Sequence, residues 1–373
     1  MAWWVMNDDD ITGARAEQRA AVGVSLHTGW LLRIACAVVG LLVFILALDL
    51  LKEGARDYGR AMVALFNVTS PVSALGFGWL LAYMFLSGSP VAAIAITFFA
   101  AGTLDALQTF TMITGSRLGA SLIVLVVGFF YYLRGHRRAA SIAIGVLALL
   151  TTAAIYLPAM ALGYWALTSG IVQTIPADAD APLTSVLDWM YEPIMNAINA
   201  LGLPGWAKFG AGVVALLTAF ALLDRALPQV KPESNAFSRI GRLVYRPMVM
   251  FALGMAVTSV TMSVSVSLSI LVPLSVRGLV RRENTLPYIM GANITTFIDT
   301  LVAALIVGGA AAFTIVLVEM VSVAILSLIV ILFFYHAFQR SILRLQDAIV
   351  RHRRTLVAFL VVMFIIPVML LAF

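Results

Sequence analysis

Charged residues are scarce in this chain. Asp, Glu, Lys and Arg together make up 11% of its 373 residues, against about 25% in soluble domains. That scarcity argues against an ordinary water-soluble globular protein. Cysteine is nearly absent: the single residue, Cys36, lies in an apolar run, which excludes an internal disulfide and a Cys-based metal cluster. Histidine is limited to His27, His136, His336 and His352, all at the ends of apolar runs or in loops. No HExxH, GxSxG or Walker-type pattern occurs, so the residues that metalloprotease, hydrolase and P-loop chemistry need at those spacings are missing. No enzymatic activity and no cofactor are expected. The polar start, with Asp8, Asp9 and Asp10, carries no apolar leader core, so no cleavable signal peptide is expected.

Apolar sequence is what the chain has in abundance. Hydrophobic residues reach 62%, against roughly 45–50% in soluble domains, and the mean hydropathy is +1.01. Full membrane spans are expected at about 30–51, 115–134, 139–165, 206–227, 286–308, 311–336 and 355–373. The net charge of +6 does not call for nucleic acid, because the basic residues collect at span ends, where cytoplasmic loops carry them.

Those basic residues also orient the spans. Arg134, Arg137 and Arg138 end one span, and no Lys or Arg follows until Lys208. The gap holds Asp178, Asp180, Asp188 and Glu192 and reads as an external loop, 166–205. Arg225–Arg246, Arg277–Arg282 and Arg340–Arg354 then fall on the cytoplasmic face, as does an N-terminal tail, 1–29. The expected location is the plasma (inner) membrane. Lys52, Arg56 and Arg60 are exceptions, since this topology puts them outside.

Two segments, 71–103 and 247–279, are apolar but divided by Ser/Gly/Pro patches into pieces of about 14–16 residues. Neither piece crosses a core of roughly 30 Å. Both are expected to be re-entrant hairpins, a shape tolerated only when buried in protein or lining a cavity. They share a pattern at one offset. Ser87-Gly88-Ser89 precedes Gly115-Ser116-Arg117-Leu118, and Ser263-Val264-Ser265 precedes Gly291-Ala292-Asn293-Ile294. Both intervals agree (263 − 87 = 176 and 291 − 115 = 176), as do Pro71/Pro247, Gly78/Gly254, Gly102/Gly278 and Trp30/Trp206. Three spans separate the two segments, and an odd number inverts the second copy. The expected fold is therefore an all-α polytopic membrane protein. It has two inverted-topology repeats (30–165 and 206–341), each with a re-entrant helical hairpin, followed by an amphipathic segment at the inner leaflet and one extra C-terminal span (342–373).

Hydroxyls and glycines at the tips of two opposed hairpins would supply unwound carbonyls for a cation and helix N-termini for an anion. The second copy is rich in them: Thr258, Ser259, Thr261, Ser263, Ser265, Ser267 and Ser269, then Asn293, Thr295 and Thr296. From Ser259 they recur at period two, which predicts an extended stretch within 259–269. The structural alternative is that Ser and Thr only let helices pack closely. Arg117, Asp299 and Glu319 fall within spans, where charge is costly and functional by default. An Arg117–Asp299 structural pair is the bland alternative.

Residues 254–302 resemble the second repeat of type II sodium/phosphate cotransporters, which pairs a Gln-Ser-Ser-Ser motif with a downstream Gly-Ala-Asn-Ile-Gly-Thr motif. Met262-Ser263-Val264-Ser265 and Gly291-Ala292-Asn293-Ile294-Thr295-Thr296 occupy those positions here. In the first copy Leu86-Ser87-Gly88-Ser89 and Gly115-Ser116-Arg117-Leu118-Gly119-Ala120 do. The resemblance implies serine motifs meeting at the membrane centre and transport of inorganic phosphate coupled to sodium. By position it implies substrate contacts from Ser87, Gly88, Ser89, Arg117, Ser263, Ser265 and Asn293. It implies cation contacts from Thr258, Thr295, Thr296 and Asp299. The chain departs from the motif where Leu86 and Met262 replace both glutamines, Gly88 and Val264 replace the central serines, and Arg117 replaces the first asparagine.

The leading expectation is a secondary transporter of phosphate or a related oxyanion, driven by sodium or by protons through Asp299 or Glu319. Transport of a lipid-linked phosphate is a second reading, suited by apolar Leu86 and Met262. A non-transporting membrane scaffold is a third, and predicts dry, tightly packed serine patches. Membrane lipids are expected neighbours and nucleic acid is not. The oligomeric state stays open, a homo-oligomer included.

Overall fold

The structure, a computed structural model, describes residues 8–126, 138–172, 181–226, 246–264, 267–268, 271 and 280–373. Side chains are described from residue 31 onward within these ranges, 138–141 and 181–190 excepted. The candidate residue Ser265 and residues 227–245, 266, 269–270 and 272–279 lie outside the described residues.

Every regular element among the described residues is helical. In chain order they are α1 (Asp8–Leu65), α2 (Pro71–Phe85), α3 (Ser89–Ala100), α4 (Ala106–Ala120), α5 (Arg138–Thr168), α6 (Ala181–Ala200), α7 (Gly205–Ala226) and α8 (Pro247–Thr261). There follow α9 (Arg282–Thr295), α10 (Phe297–Ala303), a π-helical turn (Ala304–Gly308), α11 (Gly309–Ile329), a second π-helical segment (Val330–Phe334), α12 (Tyr335–Arg351) and α13 (Arg353–Leu370).

Among the described residues six helical stretches are long and apolar enough to cross a membrane: Leu31–Leu65, Ala106–Val126, Ile142–Thr168, Gly205–Ala226, Arg282–Arg351 and Arg353–Leu370. The fifth, at 70 residues, would measure about 105 Å if straight, over three times a hydrocarbon core. It reverses at Gly309, whose φ of 61° and ψ of −160° are open essentially to glycine alone. α11 then packs back along α9 and α10. The spans expected at 286–308 and 311–336 are thus two limbs of one helical stretch.

α2, α3 and α8, at 15, 12 and 15 residues, rise only about 18–23 Å and do not cross. Each begins where the sequence favours a start. Pro71 and Pro247 occupy the first helical position, where the missing N–H costs nothing. Before α2, Ser70 and Ser73 cap each other's backbone amides at 3.1 and 2.9 Å. Asp105 and Gln108 do the same for α4 at 2.8 and 3.0 Å, satisfying amides that a helix start leaves without partners. α3 is enclosed along most of its length, with Pro90 through Phe98 all buried, as an all-round apolar helix must be.

The offset of 176 positions recurs in the geometry. α2 and α8 start and stop in register (247 − 71 and 261 − 85), as do the starts of α4 and α9 (282 − 106). The residues that stop α2 and α8 are Leu86 (φ 49°, ψ 32°) and Met262 (φ 46°, ψ 20°). Both are left-handed without being glycine, at about 1–2 kcal/mol each. Close packing repeats as well. A side chain on Gly78 would overlap the Met112 carbonyl, and one on Gly254 the Tyr288 carbonyl. Gly115 abuts the Leu75 carbonyl as Gly291 abuts that of Phe251. Small residues let α2 press on α4, and α8 on α9, backbone to backbone.

Three local expectations are corrected. α1 does not stop near residue 51 but runs to Leu65, because its charged turns find partners. Lys52 Nζ donates to the Val307 carbonyl at 3.3 Å, and Glu53 pairs with buried Lys208 of α7 at 2.9 Å. The segment 166–205, expected as a loop, contains a helix, α6, whose Tyr191 hydroxyl donates to the Leu42 carbonyl at 2.9 Å. The stretch 259–269 is not extended over its described part. α8 continues to Thr261, Met262 and Ser263 break it, and the Ser267 amide donates to the Ser263 carbonyl at 3.0 Å in helical register. Ser259 sits on the helix without needing a polar face, because its Oγ back-bonds to the Met255 carbonyl at 2.8 Å.

Contacts at helix ends fall into two sets. Asn67 Nδ2 reaches the Leu371 carbonyl at 3.2 Å and Ser70 Oγ that of Phe373 at 3.2 Å. Elsewhere Arg282 binds Asp347 at 2.5 Å and the Tyr335 hydroxyl donates to the Glu283 carbonyl at 3.0 Å.

Candidate functional site

Polar side chains converge where α3 begins. Ser89 opens that helix just after the break at Leu86–Gly88. Gly88 is buried against the Ser116 carbonyl and the Ala120 methyl, which holds the break directly over α4. From α4, Arg117 enters the protein with only 3% of its surface exposed. Its Nη1 donates to Thr296 Oγ1 at 3.3 Å and its Nη2 to Thr300 Oγ1. Nη2 also lies 3.7 Å from Asp299 Oδ1, and Thr300 Oγ1 passes the connection on, donating to the same oxygen at 2.8 Å. The guanidinium carbon stands 4.8 Å from the centre of the Phe297 ring, a cation–π contact in a desolvated setting. Ser89 faces the Asp299 carboxylate.

The site is supported from α5. Tyr156 stacks on Phe297 with ring centres 6.2 Å apart, and its hydroxyl donates to the Asn293 carbonyl at 2.9 Å. Asn293 Nδ2 donates to Thr152 Oγ1 at 3.1 Å. Phe297 is thereby fixed beneath the guanidinium, and α9 is tied to α5.

Several groups in this buried cluster have no hydrogen bond. They are Arg117 Nε, Asp299 Oδ2 and both carboxyl oxygens of Glu319, in side chains at most 6% exposed. Arg117 is within electrostatic range of Glu319 as well. One guanidinium therefore serves two buried carboxyls, and Asp299 takes it. Unused polar atoms in so dry a place mark capacity for another occupant, since buried polar groups are otherwise paired.

A second polar group lies on α8. Thr258 Oγ1 donates to Ser267 Oγ at 2.7 Å, and Ser267 Oγ meets the Tyr288 hydroxyl at 2.9 Å. Thr295 Oγ1 donates to the Met255 carbonyl at 3.1 Å, and Thr261 Oγ1 to that of Ser263 at 3.3 Å.

Of the candidate residues, the structure gathers Ser89, Arg117, Thr296 and Asp299. Ser87 and Gly88 sit at the first break and Ser263 at the second. Asn293 bonds to Thr152, and Thr258 and Thr295 spend their hydroxyls within the α8–α9 unit. Among the described residues no three His, Cys, Asp or Glu side chains gather as a metal site would require. Thr300, Phe297, Tyr156 and Thr152 were not foreseen. Thr300 was detectable, because Thr296, Asp299 and Thr300 share one helical face at i, i+3 and i+4.

Comparison of the chain with protein families, curated proteins and solved structures finds no match. The fold and site define an all-α chain with six helices of membrane-crossing length and a buried arginine–carboxylate cluster between them.

Proposed function

We propose that the chain is a secondary active transporter of inorganic phosphate or a related oxyanion. It would be coupled to sodium or protons and work by alternating access between two inverted repeats of the sodium/phosphate cotransporter type. The observation that carries the reading is Arg117, a buried cation among hydroxyls beside a helix that starts at a mid-chain break. A guanidinium with a free N–H, next to a helix N-terminus, is chemistry suited to an oxyanion. An aqueous anion would gain a positive, preorganised site at membrane depth, the usual setting for such transport.

Inverted repeats are supported by the shared offset of helix starts, left-handed stops and glycine contacts. The two breaks after α2 and α8 support paired re-entrant hairpins. Arg225, Arg246, Arg281, Arg282, Arg340, Arg344, Arg351, Arg353 and Arg354 would mark the cytoplasmic face, and the N-terminus would lie on that side.

The test is uptake of radiolabelled phosphate into proteoliposomes under an imposed sodium gradient and, separately, an imposed pH gradient. Uptake driven by either supports the reading, and the driving gradient names the coupling ion. No uptake under both removes it.

One observation favours a lipid-linked phosphate as the alternative substrate. A groove of about 420 Å³, lined by Phe66, Phe77, Leu80, Leu81, Tyr83, Met84 and Phe364, runs between α2 and α13 toward the first break. Leu86 at that break is 42% exposed. Stabilisation of the purified protein by a lipid phosphate but not by inorganic phosphate would favour this substrate.

A further inference from the structure

The anion site proposed above already has an occupant, and the occupant belongs to the chain. Asp299 presents its carboxylate to Arg117 at 3.7 Å, receives the Thr300 hydroxyl at 2.8 Å, and faces Ser89 at the start of α3. Guanidinium, hydroxyls and a helix start are the groups that would hold an oxyanion. We propose that Asp299 is a tethered stand-in for the substrate anion. It keeps Arg117 neutralised while the site is empty, and a proton taken up by Asp299 releases Arg117 to the incoming anion. This rests on the oxyanion-transport reading and deepens it by assigning the coupling proton.

Charge balance carries the argument. With Asp299 ionised, the pair is neutral. An arriving anion of charge −1 would leave a net −1 in a region where Arg117 and Asp299 are 3% and 6% exposed, and an unpaired buried charge is strongly unfavourable. One proton from water removes one unit of that negative charge by forming an O–H bond on Asp299, which balances a monoanion in full and a dianion such as sulfate by half. Oδ2 is the atom placed to take it, because it is buried and accepts no hydrogen bond. Arg117 Nε, likewise without a partner, is then a free donor for the anion alongside the N–H groups that Asp299 gives up. Thr300 donates to Asp299 and receives from Arg117, so one hydroxyl links the two.

The groups that surround Asp299 are few. Arg117 comes from α4. Asp224 of α7 lies within electrostatic range. Beyond Arg117 stand Glu319 of α11 and Tyr156 of α5. α3 and the π-helical turn after α10 contribute no titratable side chain. Glu319 is the competing proton acceptor, and the test separates the two.

The experiment is calorimetric titration of the purified full-length protein with sulfate, and in parallel with phosphate, in buffers of different ionisation enthalpy. Sulfate stays a dianion between about pH 5 and pH 8, so any proton that moves then belongs to the protein. The expected result is uptake of about one proton per sulfate, with affinity rising about tenfold per pH unit of acidification. Asp299→Asn should bind sulfate without proton uptake and with a flat pH profile, and Glu319→Gln should keep the uptake. Sulfate binding by the parent protein without proton uptake overturns the proposal without recourse to any variant, while leaving the oxyanion reading intact. Loss of uptake in Glu319→Gln but not in Asp299→Asn also overturns it. Absence of binding of both anions by the parent protein overturns this proposal and the oxyanion reading together.

Discussion

Arg117 and Asp299, 182 positions apart in the chain (299 − 117), meet inside the protein at 3.7 Å with 2% and 6% of their side-chain surface exposed. Such a pair adds little net stability, because burying both ions costs about what their attraction returns. Breaking it is another matter.

Arg117→Met should therefore destabilise the fold by about 3–5 kcal/mol, because it strands the Asp299 carboxylate. Asp299→Leu should cost a similar amount by stranding Arg117. The double variant Arg117→Met/Asp299→Leu should recover most of the loss. Thermal unfolding of the four proteins in one detergent closes the cycle. Additive losses in the double variant would show that the pair is not coupled, and would take the centre out of the proposed site.

Leu86 and Met262 hold left-handed backbone at matching places, so both breaks carry the same strain. Glycine at either position relieves about 1–2 kcal/mol of steric cost and gives back about 0.5–1 kcal/mol in unfolded-chain entropy. Leu86→Gly and Met262→Gly should each be neutral to mildly stabilising. β-branched Leu86→Ile and Met262→Ile should each lower the melting temperature. A clear difference between the two positions would argue against equivalent roles.

Much of this layout is legible in the sequence, and what is not has identifiable causes. Pro71, Pro247 and the serine patches announce the short helices because Pro at a first turn and a polar break are local signals. Arg117 and Asp299 announce a site because charge inside a span needs a reason. Their pairing with each other is not local, and both an anion ligand and a structural partner stay open until the fold brings the two side chains together. The extension of α1 past residue 51 is hidden for the same reason. Lys52 and Glu53 look like a span end until Val307 and Lys208 are seen beside them. The serines from 259 onward mislead in the opposite direction. Their period of two suggests a strand, whereas a hydroxyl that returns its bond to its own helix carries no period at all.

Glycine contacts supply a sharper test of the packing. Gly78 and Gly254 each leave no room for a side chain against a facing backbone carbonyl, whereas Gly210 of α7 has nothing within 4 Å. Gly78→Ala and Gly254→Ala should both destabilise by more than about 1 kcal/mol, because backbone cannot yield as a side-chain tip can. Gly210→Ala should be neutral or stabilising by about 0.5–1 kcal/mol, the helix-propensity difference. Equal losses at all three sites would contradict the close approach of α2 to α4 and of α8 to α9.

Glu319 completes the set. Both its carboxyl oxygens are buried and neither accepts a hydrogen bond, and the one guanidinium in range is committed to Asp299. A side chain whose polar neighbour is the Thr114 hydroxyl, itself already donating to the Phe110 carbonyl at 3.1 Å, should be replaceable at little structural cost. Glu319→Gln and Glu319→Leu are expected to melt within about 1 kcal/mol of the parent protein, or above it. Asp299→Leu, which strands a partner, should fall several kcal/mol below. The comparison discriminates because the two carboxyls share burial and differ in what they hold. Equal losses at Glu319 and Asp299 would mean that Glu319 is the true counter-ion of Arg117, and the charge assignment of the buried cluster would have to be redrawn.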